Sequence, residues 1–337
     1  MEKKSGSFLK TSLTILISLL FAGLFMWLAV RGLDVEKIKA ALGKANYFWV
    51  FAASIFGLLA YWFRAVRWNL LLEPMGYHIS NSNSFWSLSF GYLMNLTIPR
   101  SGELARATAL YGVEKVPVDK SFGTIILERV VDLVCMIGFL LLTLVFKYDA
   151  IVSFYRSSGI DVNPTYIILA IVIFLIGTFL FFKFKDHFKK NTFLAKVIQF
   201  IEGIFNGLTS IFRLKKKGLF IFHSLMIWLC YYLAAYLVCF ALPETSDFTI
   251  ADGFFIIVVG TLGMMVPASG GIGAFHFALK IGIAALFLSM GKSATEGAEV
   301  GLSYAFISHT MQLVIMLVMG LISIPMLARG RNQLVNS

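Results

Sequence analysis

Long apolar runs alternate along this chain with short polar connections. At about 1.5 Å per residue, a helix needs about 20 apolar residues to cross the hydrocarbon of a bilayer. Runs of that order stand at 12–30, 47–68, 122–146, 165–182, 219–242 and 300–327, and they predict six full transmembrane helices. A shorter segment, 33–42, has the alternation of an amphipathic helix lying at the interface. Four further apolar pieces are each too short to cross alone. They come in two pairs, 85–98 with 102–111 around "PRS", and 250–266 with 272–288 around "PASGG". The pattern predicts an all-α polytopic membrane protein with six full transmembrane helices and two broken or re-entrant helix pairs.

Composition supports this reading. Hydrophobic residues make up 58% of the chain and charged residues only 14%, against about 25% charged in a soluble domain. The net charge of +11 does not read as a nucleic-acid stripe, because the basic residues gather between apolar runs, as in "RLKKKG" at 213–218. That is the habit of cytoplasmic loops beside anionic lipid. The basic connection 183–217 is therefore expected in the cytoplasm and the acidic stretch 241–249 outside. Counting crossings from these anchors puts both termini in the cytoplasm, in a multi-pass cell (inner) membrane protein. The loop 31–46 disagrees, since it carries several basic residues yet falls outside. The N-terminal run resembles a signal peptide, but it is as long as a crossing and no small-residue cleavage site follows, so it reads as a retained signal anchor. Cys135, Cys230 and Cys239 all fall inside apolar runs and read as small buried hydrophobes.

The same count opens the first broken pair from the cytoplasm and the second from outside. Broken elements in corresponding positions of two halves are the sequence mark of an inverted-repeat transporter. The chain is thus expected to be one integral membrane domain, 1–337, with halves of about 47–182 and 219–327 joined by the basic segment.

Polar residues concentrate at the breaks. Pro99 removes a backbone donor and drives Ile98 out of helical geometry. Ser101 is then expected to N-cap the second piece, with Gly102 and Glu103 in its first turn, forming an anion site at a helix N-terminus flanked by Arg100 and Arg106. In the second break, Pro267 ends one piece and Ser269 is expected to cap the next. Gly270, Gly271 and Gly273 allow close backbone approach to a ligand, or simply close helix packing. In the crossing 122–146, Glu128 and Asp132 share a helix face, and Arg129 stands three before Asp132. A charge at the helix centre costs about 2.5–3.5 kcal/mol, so these groups face one another, a cavity or a ligand. A structural salt-bridge cluster, Glu103 with Arg129 for example, and a ligand site both fit. Arg64 and Arg67 sit near the end of their helix, and one of them is expected to snorkel to lipid head groups. His276 reads as a hydrogen-bonded helix residue rather than a proton relay, and Tyr304 is expected to contribute a hydroxyl to the same interior.

In this order, "RAVRW", "PRSGELAR", "LERVVD" and "PASGGIGAF" resemble the lysylphosphatidylglycerol synthase transmembrane-region family. That family includes the flippase domain of MprF-type proteins and stand-alone relatives. The resemblance implies a polytopic protein that binds or translocates lipids, with both breaks at the head-group site. By motif it assigns Arg100, Glu103 and Arg106 to that site, then Glu128, Arg129 and Asp132, then Gly270, Gly271 and Gly273. His276 stands where the family usually has a glutamate. The soluble aminoacyl-transferase domain of the full-length synthases is absent, so lipid aminoacylation by this polypeptide alone is not expected. The leading expectation is a transporter or flippase for an anionic phospholipid or a polyprenyl-phosphate-linked lipid. The alternative is a membrane-embedded lipid-modifying enzyme, or an accessory subunit of a lipid or glycan synthase, with Glu128 and Asp132 as acid and base. No cofactor and no metal are expected. The partners expected are an anionic lipid, the membrane, and either a second copy of the chain or a lipid- or glycan-synthesis enzyme.

Overall fold

The computed structural model describes residues 2–98, 100–157 and 214–336, and these are helical with short breaks. The expected crossing at 165–182 and most of the basic connection lie outside the described residues, as does Pro99. The helices are α1 (Glu2–Val30), α2 (Val35–Lys44), α3 (Tyr47–Leu72), α4 (Asn81–Thr97), α5 (Gly102–Glu114), α6 (Val118–Phe146), α7 (Tyr148–Ser157), α8 (Lys217–Cys239), α9 (Ile250–Met264), α10 (Ala274–Ser289) and α11 (Ala294–Asn336).

Among the described residues five stretches are long and apolar enough to cross a bilayer: Tyr47–Met75, Val118–Phe146, Lys217–Cys239, Ser269–Ser289 and Ala294–Gln333. A sixth arises if Ile15–Val30 and Val35–Lys44, which meet at 90°, count as one bent span. This corrects one expectation. With its preceding turn, the second member of the second broken pair runs 21 residues and is long enough to cross by itself. Helix α7 was not expected from the sequence; it folds back so that Ala150 and Ile151 join the core beneath α10.

Local sequence explains the helix starts. Asp34 accepts the Glu36 N–H at 3.0 Å to begin α2, and Asn46 accepts the Phe48 N–H at 3.1 Å to begin α3. Asp252 accepts the Thr249 N–H at 2.8 Å at the start of α9. Helix α6 is polar inward and apolar outward. Ser121, Thr124, Glu128 and Val131 are buried at helical spacing, while Leu133, Val134, Ile137 and Leu141 face out. Lipid, not water, suits that outer face.

Helix α3 packs along α8, and α4 packs along α11, so elements from both ends of the chain share one interior. Helices α4 and α5 pack closely where Gly91 meets Gly102. A Cβ on Gly102 would lie 2.5 Å from the Gly91 carbonyl oxygen, which is backbone and has no rotamer to escape into. Gly102→Ala is therefore expected to force the two helices apart and to cost about 1–3 kcal/mol. Thermal unfolding of the purified variant in detergent measures it, and an unchanged midpoint refutes this contact.

Candidate functional site

The first break begins where Ile98 leaves α4 in an extended conformation (φ −126°, ψ 116°). Arg100 follows at φ 58°, in the left-handed region that a non-glycine residue rarely adopts. Ser101 occupies the N-cap position of α5, but its hydroxyl does not cap. It donates instead to the carbonyls of Ile98 (2.7 Å) and Met94 (3.1 Å) at the end of α4. Asn95 takes the expected role, its Oδ1 accepting the Gly102 N–H at 2.7 Å. Gly102 is buried against Gly91 and Asn95, so it serves helix packing.

Behind this break lies a buried ion network centred on α6. Glu128 is fully buried, with Arg106 Nη1 at 2.8 Å and Arg67 Nε at 3.5 Å. Asp132 stands 2.9 Å from Arg67 Nη1 and 3.3 Å from Arg64 Nη2. Arg64 and Arg67 are both buried, which corrects the expectation that one of them snorkels. Spaced three apart on α3, they meet carboxylates spaced four apart on α6, and pairing inside the protein replaces pairing with head groups. Arg106 stacks on Trp68 at 3.6 Å from the ring centroid, and the Trp68 Nε1 donates to Thr124 Oγ1 at 2.9 Å. The Arg106–Glu128 contact is close in distance but is not aligned as a hydrogen bond. Arg129 is different. Its side chain is 43% exposed, and its partners, Asp132 at 3.5 Å and Glu103 at 3.7 Å, are distant.

At the second break, α9 ends at Met264, and Ser269–Gly271 form a single tight turn. Ser269 does not cap the next helix. Gly273 holds the N-cap position of α10, where His276 Nδ1 accepts its N–H at 3.4 Å. Gly270, Gly271 and Gly273 have φ of 58°, 78° and 82°, so the turn needs glycine for its backbone shape. Gly273 packs against α1, where a Cβ would stand 2.6 Å from the Met26 nitrogen; it does not line the cavity. His276 is buried with its ring 5.0 Å from that of His309. His309 Nε2 lies 2.8 Å from the Gly270 oxygen and, facing a carbonyl, carries the proton. Tyr304 donates to the Ala235 carbonyl at 2.6 Å.

The two breaks meet. Arg100 Nη2 donates to the Met265 carbonyl at 2.9 Å, across 165 residues of chain. Between them lies a cavity of about 440 Å³. Arg64, Arg100, Glu103 and Arg129 stand in its wall with Gly270, Gly271 and Tyr304. Ile256, Phe275, Leu279, Met311 and Ile315 make the wall apolar elsewhere. Arg67, Arg106, Glu128 and Asp132 hold the wall from behind, and Ser101, Gly102, Ser269, Gly273 and His276 are not in it. Counting wall and backing together, five guanidiniums face three carboxylates, leaving two positive charges in excess.

Sequence reasoning passed over Tyr61, Tyr92, Asn95, Tyr231 and Gln312, all of which line the cavity. Tyr231 accepts from Arg64 Nη1 at 2.8 Å. A polar residue inside an apolar run was the available signal for Asn95 and Gln312; tyrosines are too common in membrane helices to stand out. The ion pair of Lys147 with buried Asp252, at 2.6 Å, was also missed. The three cysteines are free, with Cys230 and Cys239 buried. Among the described residues no group of three His, Cys, Asp or Glu side chains is placed to hold a metal ion.

The family model for the lysylphosphatidylglycerol synthase TM region matches residues 15–328. The UPF0104 membrane protein MJ1595 of Methanocaldococcus jannaschii is 27% identical over 254 residues, which cover 68% of this chain and 74% of that protein. Glycosyltransferase AglD of Haloferax volcanii is 24% identical over 305 residues, 81% of this chain and 49% of that protein, so the chain spans about half its length. No solved structure matches.

Proposed function

The chain belongs to the lysylphosphatidylglycerol synthase TM region family, and we propose that it binds the phosphate of a membrane lipid between its two breaks and carries that lipid across the bilayer. One observation carries this reading: a cavity walled by both breaks holds an excess of guanidinium together with many apolar side chains. A lipid phosphodiester offsets one of the two excess charges and a phosphomonoester up to two, and an acyl or prenyl chain suits the apolar wall. Arg100 and Arg129 are the phosphate ligands in this reading, because neither is held in a close ion pair. Arg67 and Arg106 keep the shape of the site. The two halves act as an inverted repeat, opening the cavity to each side in turn, with both termini in the cytoplasm.

Vesicles containing the purified chain and a fluorescent anionic phospholipid test the reading. Lipid in the inner leaflet is expected to become accessible to an external quencher faster than in empty vesicles, and Arg129→Gln is expected to remove the difference. Rates equal to empty vesicles across phospholipids and polyprenyl phosphates overturn it. A second reading, the membrane part of a lipid- or glycan-modifying system, is favoured by the match to half of a protein named a glycosyltransferase. Turnover of a lipid by the purified chain, alone or with a partner enzyme, and its loss in Asp132→Asn, distinguishes it.

A further inference from the structure

The cavity wall carries more hydrogen-bonding groups than a phosphate uses. The hydroxyls of Tyr61 and Tyr92, the side-chain amide of Gln312 and the Asn95 Nδ2 all border it, and none bonds to a described residue. The two tyrosine rings stand 4.5 Å apart, centroid to centroid, at 38°.

These groups are of one chemical kind. Phenols and primary amides both donate and accept, and they are neutral. An amine-bearing headgroup asks for carboxylates, but among the described residues the wall holds only Glu103, which faces Arg129 at 3.7 Å. A bare phosphate is served by the arginines and gains nothing from the neutral groups. A cluster of hydroxyls matches them, because each ligand hydroxyl also donates and accepts. We propose that the lipid phosphate taken by this cavity carries a polyhydroxylated headgroup, a sugar or a polyol. The inference rests on the phosphate-binding reading above and names the headgroup class for the same site. In this arrangement Arg100 and Arg129 hold the phosphate, while Tyr61, Tyr92, Asn95 and Gln312 bind the hydroxyls.

The test measures binding of four single-chain phosphodiester probes to the full chain in detergent: methyl farnesyl phosphate, glucosyl farnesyl phosphate, lysophosphatidylinositol and lysophosphatidylethanolamine. The glucosyl ester is expected to bind about tenfold more tightly than the methyl ester of equal charge, the effect of a few neutral hydrogen bonds. Lysophosphatidylinositol is expected to exceed lysophosphatidylethanolamine by a similar factor, and the stronger of the two hydroxylated probes tells sugar from polyol. In the double variant Tyr92→Phe, Gln312→Leu, both ratios are expected to fall towards one. The wild-type ratios need no variant, so a folding failure leaves the test intact. Equal binding of the glucosyl and methyl esters, or preference for the amine, overturns the headgroup inference while leaving the phosphate site standing. Failure of all four probes to bind overturns the phosphate-binding reading itself.

Discussion

Glu128→Gln is expected to cost about 3–5 kcal/mol of stability, the largest effect of any single change considered. Glu128 is fully buried between Arg67 and Arg106, both of them buried as well. Removing its charge leaves Asp132 to balance Arg64 and Arg67, and leaves Arg106 with the face of Trp68 alone. Breaking one side of a buried pair is costly because the remaining charge stays out of water. Against a total stability of about 5–15 kcal/mol, such a loss is expected to appear as aggregation on size exclusion and a sharply lowered melting midpoint. The companion variant Glu128→Gln with Arg106→Met removes both charges and is expected to recover part of the loss. A Glu128→Gln protein as stable as the wild type refutes a dry, tightly paired cluster.

Arg100→Gln with Arg129→Gln is expected to separate binding from folding. Both side chains are exposed and loosely held: Arg129 by charges at 3.5 Å and 3.7 Å, Arg100 by one backbone carbonyl. Loosely held surface pairs contribute about 0–1 kcal/mol, and glutamine meets the same backbone strain as arginine at the Arg100 φ of 58°. The variant is expected to melt close to the wild type. A hydrogen bond to a charged group is worth about 1.5–3 kcal/mol, so loss of two is expected to weaken binding of farnesyl phosphate at least about 100-fold. The wild-type affinity is also expected to fall with added salt, because Arg100 and Arg129 are both exposed. Unchanged affinity in the double variant removes these two arginines from the phosphate site.

The contrast between these two arginine groups was not legible in the sequence. Arg100, Arg106 and Arg129 look alike in a linear reading, each a charge amid apolar residues. Only the rotation of α5 and α6 about their axes sends Arg106 inward to Glu128 and leaves Arg129 at the cavity wall. Arg64 and Arg67 were misjudged for the same reason, since their partners lie more than sixty residues away on α6. The caps show the local version of this limit. Ser101 and Ser269 had the right residue type at the right spacing, but nearby carbonyls and a glycine-shaped turn gave the backbone other solutions.

The sequence by itself determined that the chain is helical and apolar along its crossings, where its helices break, and that its internal charges need partners. Those properties follow from residue type and spacing within one segment, and from the cost of bringing charge into hydrocarbon. The tertiary structure decided which charges pair, that the two breaks touch through Arg100 and Met265, and that hydroxyls and amides from distant helices border one cavity. Each of these depends on how separate helices turn and slide against one another, and packing among segments far apart in the chain sets that register.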